Sequence, residues 1–150
     1  MEQDSAHLSP RERVAGAIQH GIERAEGVMP VWGSDDCVLW VADILEEALG
    51  KDPADSFRRK YGTQEQAYKL IGPRGLAFGI HRRARRFGWK PIRKTEIPLA
   101  QVGDIGVYRD YARGVQACVL KISPRFWIGR SIKGVSYVPN ERIVAAWSIA

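Results

Sequence analysis

VWGSDDCVLWVADIL, Val31 to Leu45, decides the fold. Its second part, CVLWVADIL, is apolar almost all round, the pattern of a helix enclosed by other elements. Ser34 can cap this helix, with Asp35 and Asp36 in its first turn complementing the backbone dipole. Gly50 closes it after Leu49. Cys37 then stands at about the third position of a buried central helix, and two readings of its thiol compete. Free cysteine is among the most buried residue types, and Val41 and Leu45 continue the same helical side, so packing accounts for it. A helix N-terminus also offers unpaired backbone N–H groups that stabilise a thiolate or an oxyanion, which suits a nucleophile.

Upstream, Ser9, Pro10 and Glu12 supply a cap, a first-turn proline and a capping-box acid for a helix reaching about Ala25. Val14, Ile18, Ile22 and Ala25 form its apolar stripe, and Gly27 and Pro30 break the chain before Val31. Downstream, Asp52 and Pro53 begin a short helix carrying Phe57 and Tyr61. Thr63 and Gln66 open a third that ends at Gly72. Leu76, Ile80, Ala84 and Phe87 recur at helical spacing up to Gly88, leaving Arg82, Arg83, Arg85 and Arg86 mostly on the other side. After Gly88 the pattern turns to β: WKPI, IGVY, VQACVLKI, FWIG, GVSYV and IVAAWSI, with DYARG as a hairpin turn. Helices first and strands afterwards predict an α+β domain with an antiparallel sheet.

The 150 residues fit a single domain, 1–150, and 45% hydrophobic content with five Trp argues against disorder. No apolar run approaches the roughly 18 residues of a membrane span, and the polar start MEQDSAHLSPRERV lacks the apolar core of a signal peptide. The expected location is therefore the cytoplasm, unless lysis or a larger particle carries the protein out. Cys37 and Cys118 form no disulfide framework, and His7, His20 and His81 do not cluster with them, so no metal or cofactor is predicted. Cys118 reads as sheet core. Lys and Arg total 23 against 17 acids. Arg82, Arg83, Arg85, Arg86, Lys90, Arg93 and Lys94 fall in one acid-free stretch, and without them the chain holds 16 basic residues against 17 acidic. The positive charge is local.

Together with GKDP at Gly50 to Pro53, the tyrosine-containing FRRKYGT and GDI at Gly103 to Ile105, the opening stretch resembles the NlpC-like cysteine peptidases. It most resembles a short branch common in phages and prophages, whose members carry W-G-x-D-C, a helix and G-x-D-P. The similarity runs from about Val28 to the end and rests on the order and spacing of several motifs. It implies a papain-like fold, with N-terminal helices and a buried central helix packed on a C-terminal antiparallel sheet. It also implies Cys37 at the nucleophile position, a histidine base near the start of the strand after GDI, and a third polar residue to orient that histidine.

That strand reads GVQACVLKI and holds no histidine. Gln116 occupies the expected site, or Val115 under a neighbouring alignment, and glutamine is no base at neutral pH. His20 or His81 could substitute geometrically, without a motif behind either. Asp35 and Asp36 disfavour a thiolate unless they point outward. The resemblance therefore implies a degenerate NlpC-like domain, a pseudoenzyme of the virion tail made in the cytoplasm. Its partners would be phage tail or baseplate proteins and peptidoglycan, its role cell-wall binding or tail assembly. An active endopeptidase or amidase cleaving peptidoglycan peptides is one alternative. The other is a nucleic-acid-binding module using Arg82, Arg83, Arg85 and Arg86, with Phe87 and Trp89 as stacking surfaces.

Overall fold

A computed structural model describes residues 7–110 and 115–150; most of the DYARG turn, at 111–114, lies outside the described residues. Four α-helices come first: α1 (Pro10–Ala25), α2 (Cys37–Leu49), α3 (Gln64–Ile71) and α4 (Gly75–Phe87). Six strands follow: β1 (Lys90–Ile92), β2 (Ile105–Asp110), β3 (Val115–Lys121), β4 (Phe126–Ser131), β5 (Gly134–Pro139) and β6 (Ile143–Ser148). They form one sheet in the order β1-β6-β2-β3-β4-β5, with each neighbouring pair antiparallel. The architecture is α+β, as the order of elements predicts. No described helix is long and apolar enough to cross a membrane.

α2 is the enclosed helix that its composition requires, with Leu39, Trp40, Val41, Ala42, Ile44, Leu45 and Ala48 all buried. α1 lies against it, and Gly21 makes the close approach possible: a Cβ there would sit 2.8 Å from Ile44 Cδ1. The Trp40 indole N–H donates to the Gly21 carbonyl at 3.1 Å. One sheet face, through Ile105, Val107, Cys118, Leu120, Ile128 and Trp147, joins the helices in the main core. The alternate residues Val119, Trp127, Val138 and Ala146 form a second cluster with Ile97, from a 3₁₀ segment Lys94–Leu99 that the sequence reading lacked.

The expected helix from Asp52 to Tyr61 is instead a run of turns. The Asp52 carboxylate accepts the Ala54 N–H at 2.9 Å and takes the Arg58 guanidinium, so a local side-chain bond displaces the helical pattern. Arg58 also reaches Asp43 of α2 at 2.8 Å, which pins the segment to the central helix.

Strand β3 positions the site. It pairs with β2 along its whole length, but with β4 only at Leu120 and Lys121. The Lys121 N–H and C=O bond Asp104 and Gly103 on the β2 side, so alternation turns the N–H and C=O of Gln116, Cys118 and Leu120 toward β4. Beyond Leu120, β4 has left. Its Arg130, buried, bonds both carboxylate oxygens of Asp35 at 3.0 and 2.7 Å and the Val28 carbonyl at 2.8 Å. Those bonds hold the loop preceding α2 against β4.

Candidate functional site

The loop before α2 is a tight reversal. Val31 and Asp35 exchange backbone hydrogen bonds of 2.9 and 2.8 Å, and Gly33 adopts φ +87°, a left-handed conformation that favours glycine. The same glycine lies on the backbone of the turn segment, where an added Cβ would fall 2.0 Å from the Tyr61 carbonyl oxygen. Ser34 is caught inside the reversal, so the expected cap moves. Asp36 caps α2, in extended conformation, and Cys37 is the first helical residue rather than about the third. Asp36 Oδ1 accepts the N–H groups of Val38 and Leu39 at 3.1 and 3.0 Å; Oδ2 accepts the Gly33 N–H at 3.0 Å and the Tyr61 hydroxyl at 2.6 Å. Burial, then this bond to Asp36, pushes the Tyr61 hydroxyl far up, so it stays a donor.

Cys37 is half-buried and lines a cleft of about 300 Å³ together with Gln116. Burial pushes its thiol up to about 11, and the Asp36 charge adds to that, against the pull of the backbone N–H groups of Cys118, Val38 and Cys37 itself. At neutral pH the thiol is then held in its protonated form. Of the two acids expected to oppose ionisation unless turned outward, Asp35 does turn away to Arg130 and Asp36 stays beside the sulfur. Cys118 is buried as expected, and burial pushes its thiol up too.

Gln116 has a separate task. Arg74 stands at the cap position of α4 without a side-chain cap bond, and the Gln116 amide oxygen accepts the Ala77 N–H at 3.0 Å. The oxygen thus satisfies one of the orphan donors of that helix. Gly75 leaves room for it: a Cβ there would stand 3.0 Å from that oxygen. No histidine lines the cleft among the described residues. His81 Nδ1 accepts the Trp147 indole N–H at 3.4 Å, and His20 Nδ1 meets Glu47 Oε2 at 2.7 Å; neither residue lines the cleft.

The walls of the cleft are apolar and open. Met29 and Ile132 are 68% and 58% exposed there, beside Trp32 and Tyr68, whose rings meet edge-on at 6.5 Å. Trp32 lines the cleft, whereas Trp147 is buried in the core. Arg130, the bond of Tyr61 to Asp36, and Met29, Tyr68 and Ile132 of this rim were not found from the sequence. An acid directly before an apolar helical run is a recognised cap signal and could have identified Asp36. The ion pair between Asp35 and Arg130 spans 95 positions and had no local signal.

The arginine stretch is not one uniform face. Arg83 bonds the Asp55 carboxylate at 2.6 Å and the Pro53 carbonyl, and Arg86 reaches Asp55 at 3.8 Å, whereas Arg82 and Arg85 are exposed. No group of three His, Cys, Asp or Glu among the described residues could hold a metal ion.

Fold and site together define an α+β domain that offers a protonated thiol, at the first residue of a buried helix, to a cleft beside an incompletely paired strand. The chain belongs to the family described as Domain of unknown function (DUF6950), which matches residues 11–149. No curated protein matches it.

Proposed function

We propose that the chain is a degenerate NlpC-like domain of a phage or prophage tail, whose Cys37 cleft holds peptide of the cell wall or of a tail protein without cutting it. One observation carries this reading: the thiol is pushed up to about 11 and the residue at the base position, Gln116, has its amide oxygen tied to Ala77. Losing a general base costs about 100-fold to 10,000-fold in rate, and more where that base must also activate the nucleophile. Binding is better provided for than chemistry. Met29, Trp32, Tyr68 and Ile132 offer apolar contact, and the backbone of Gln116 points to the side that β4 has left, where an extended peptide can add as a strand. The papain-like and NlpC-type reading of the fold draws support from the half-buried thiol that opens the central helix beside the sheet.

Purified protein and the Cys37→Ala variant, incubated with peptidoglycan, test the proposal. Both are expected to sediment with the sacculi and to release no peptide fragments. Fragment release that depends on Cys37 would overturn it in favour of an active endopeptidase or amidase. Nucleic acid is the weaker alternative, because Asp55 neutralises part of the arginine stretch. It requires affinity that falls steeply with salt and with Arg82→Ala.

A further inference from the structure

A second cavity adjoins the Cys37 cleft, sharing Val38, Tyr61, Ala67, Ile71 and Leu76 with it. α2, the turns at 53–61, α3, α4 and the sheet enclose an apolar cavity of about 90 Å³, walled by Val41, Leu45, Ala54, Ala67, Trp89 and Ile105. A surface concavity of about 650 Å³ leads to it, carrying Arg74, Arg82, Arg86 and Phe78. Phe57, Leu70, Ile71, Gly79 and Arg83 line both spaces, so the two adjoin there. Gly79, inside α4, faces open space at that boundary: a Cβ built on it meets nothing within 4 Å, so a larger side chain there would project into it.

The cations of the vestibule are unequally engaged. Arg83 is held by Asp55, Ser56 and the Pro53 carbonyl. Arg74 lies over the Phe78 ring at 4.8 Å, Arg86 is 3.8 Å from Asp55, and Arg82 has no carboxylate partner among the described residues. An apolar hole opening through a ring of under-neutralised guanidiniums is complementary to one chemistry: a short hydrocarbon chain ending in an anion. We infer that this cavity and its arginine mouth bind a small anionic amphiphile, an alkyl or acyl chain capped by phosphate or carboxylate. The chain enters past Gly79, and Arg82 and Arg86 hold the head group. Inorganic phosphate would leave the cavity empty, and a nucleic acid would use the arginines alone.

Calorimetric titration of the whole chain with alkyl phosphates, from butyl to octyl, tests this inference, and variants at Gly79, Arg82 and Arg86, none of which lines the Cys37 cleft, tell the two spaces apart. Affinity is expected to rise about fourfold per methylene until the cavity is full, with octyl phosphate at least about 100-fold tighter than inorganic phosphate. Gly79→Leu, with its helical circular dichroism intact, should weaken octyl phosphate by about tenfold or more; Gly79→Ala, the milder change, should fall between. Arg82→Ala combined with Arg86→Ala should weaken octyl phosphate about tenfold and leave octanol unchanged. Anionic vesicles separate the sources: vesicle binding that octyl phosphate competes away and Gly79→Leu abolishes assigns a membrane lipid, and octyl phosphate binding without vesicle binding assigns a free amphiphile. Equal affinity for inorganic and octyl phosphate, or octyl phosphate binding unaffected in both Gly79 variants, sinks the inference.

Discussion

At one end of β3, Lys121 is buried and its ammonium bonds the Asn140 side-chain oxygen at 2.7 Å and the Pro124 carbonyl at 3.1 Å, with the Trp127 ring 5.2 Å away. Asn140 accepts the Trp127 indole N–H as well, at 2.9 Å, and β4 is paired alongside. At the other end the same strand has lost β4, and its outward backbone meets a thiol and an open cleft. One end saturates its polar groups with structure, and the other keeps them beside solvent. Native folds accept such local incompleteness where a surface must receive something.

The largest test breaks the closed end. Trp127→Ala empties a fully buried site and removes a donor from Asn140, and should lower unfolding free energy by about 3–5 kcal/mol in denaturant titration. Next comes a pH test of the open end. The Cys37 thiol is raised from 9.0 to about 11 on folding, so the native state holds that proton more tightly than the unfolded chain. Its stabilising contribution is complete below pH 9 and is lost as pH climbs through about 11, by on the order of 3 kcal/mol for this group. Cys37→Ala should flatten that part of the stability curve; an unchanged slope would remove the buried thiol from the comparison.

Two smaller effects sharpen it. Asp36→Ala deletes the α2 cap and should cost about 2 kcal/mol, while Asp36→Asn keeps a capping oxygen, removes the charge and should bring the thiol below about 11 in an alkylation pH series. Gln116→Ala leaves the Ala77 N–H without its acceptor, and should cost about 1 kcal/mol in thermal unfolding without altering the alkylation rate of Cys37 by more than about twofold.

Much of the fold was legible because it follows from local pattern. The apolar run from Cys37 to Leu45 announced an enclosed helix, Ser9 with Glu12 formed the expected capping box, and all six strands fell on the anticipated runs. The failures share a cause: a residue's local preference was overruled by a partner elsewhere. Ser34 lost the cap because the Val31–Asp35 reversal enclosed it, and Pro53 opened no helix because Asp52 captured Arg58 and the Ala54 N–H. Lys121 gave no hint of burial, since its acceptors come from separate segments. Cys37 and Gln116, both named from the sequence, line one cleft. The task of Gln116 at the start of α4 was not legible, because it depends on where two elements meet.

Gly33 gauges a separation between two stretches of main chain. With its α-carbon nearly touching the Tyr61 carbonyl, any side chain would have to lift the reversal off the segment that follows α2. Asp36 would then lose its tyrosine, and the start of α2 would ride outward, taking the sulfur with it. The depth at which the thiol sits thus depends on a spacer of no thickness.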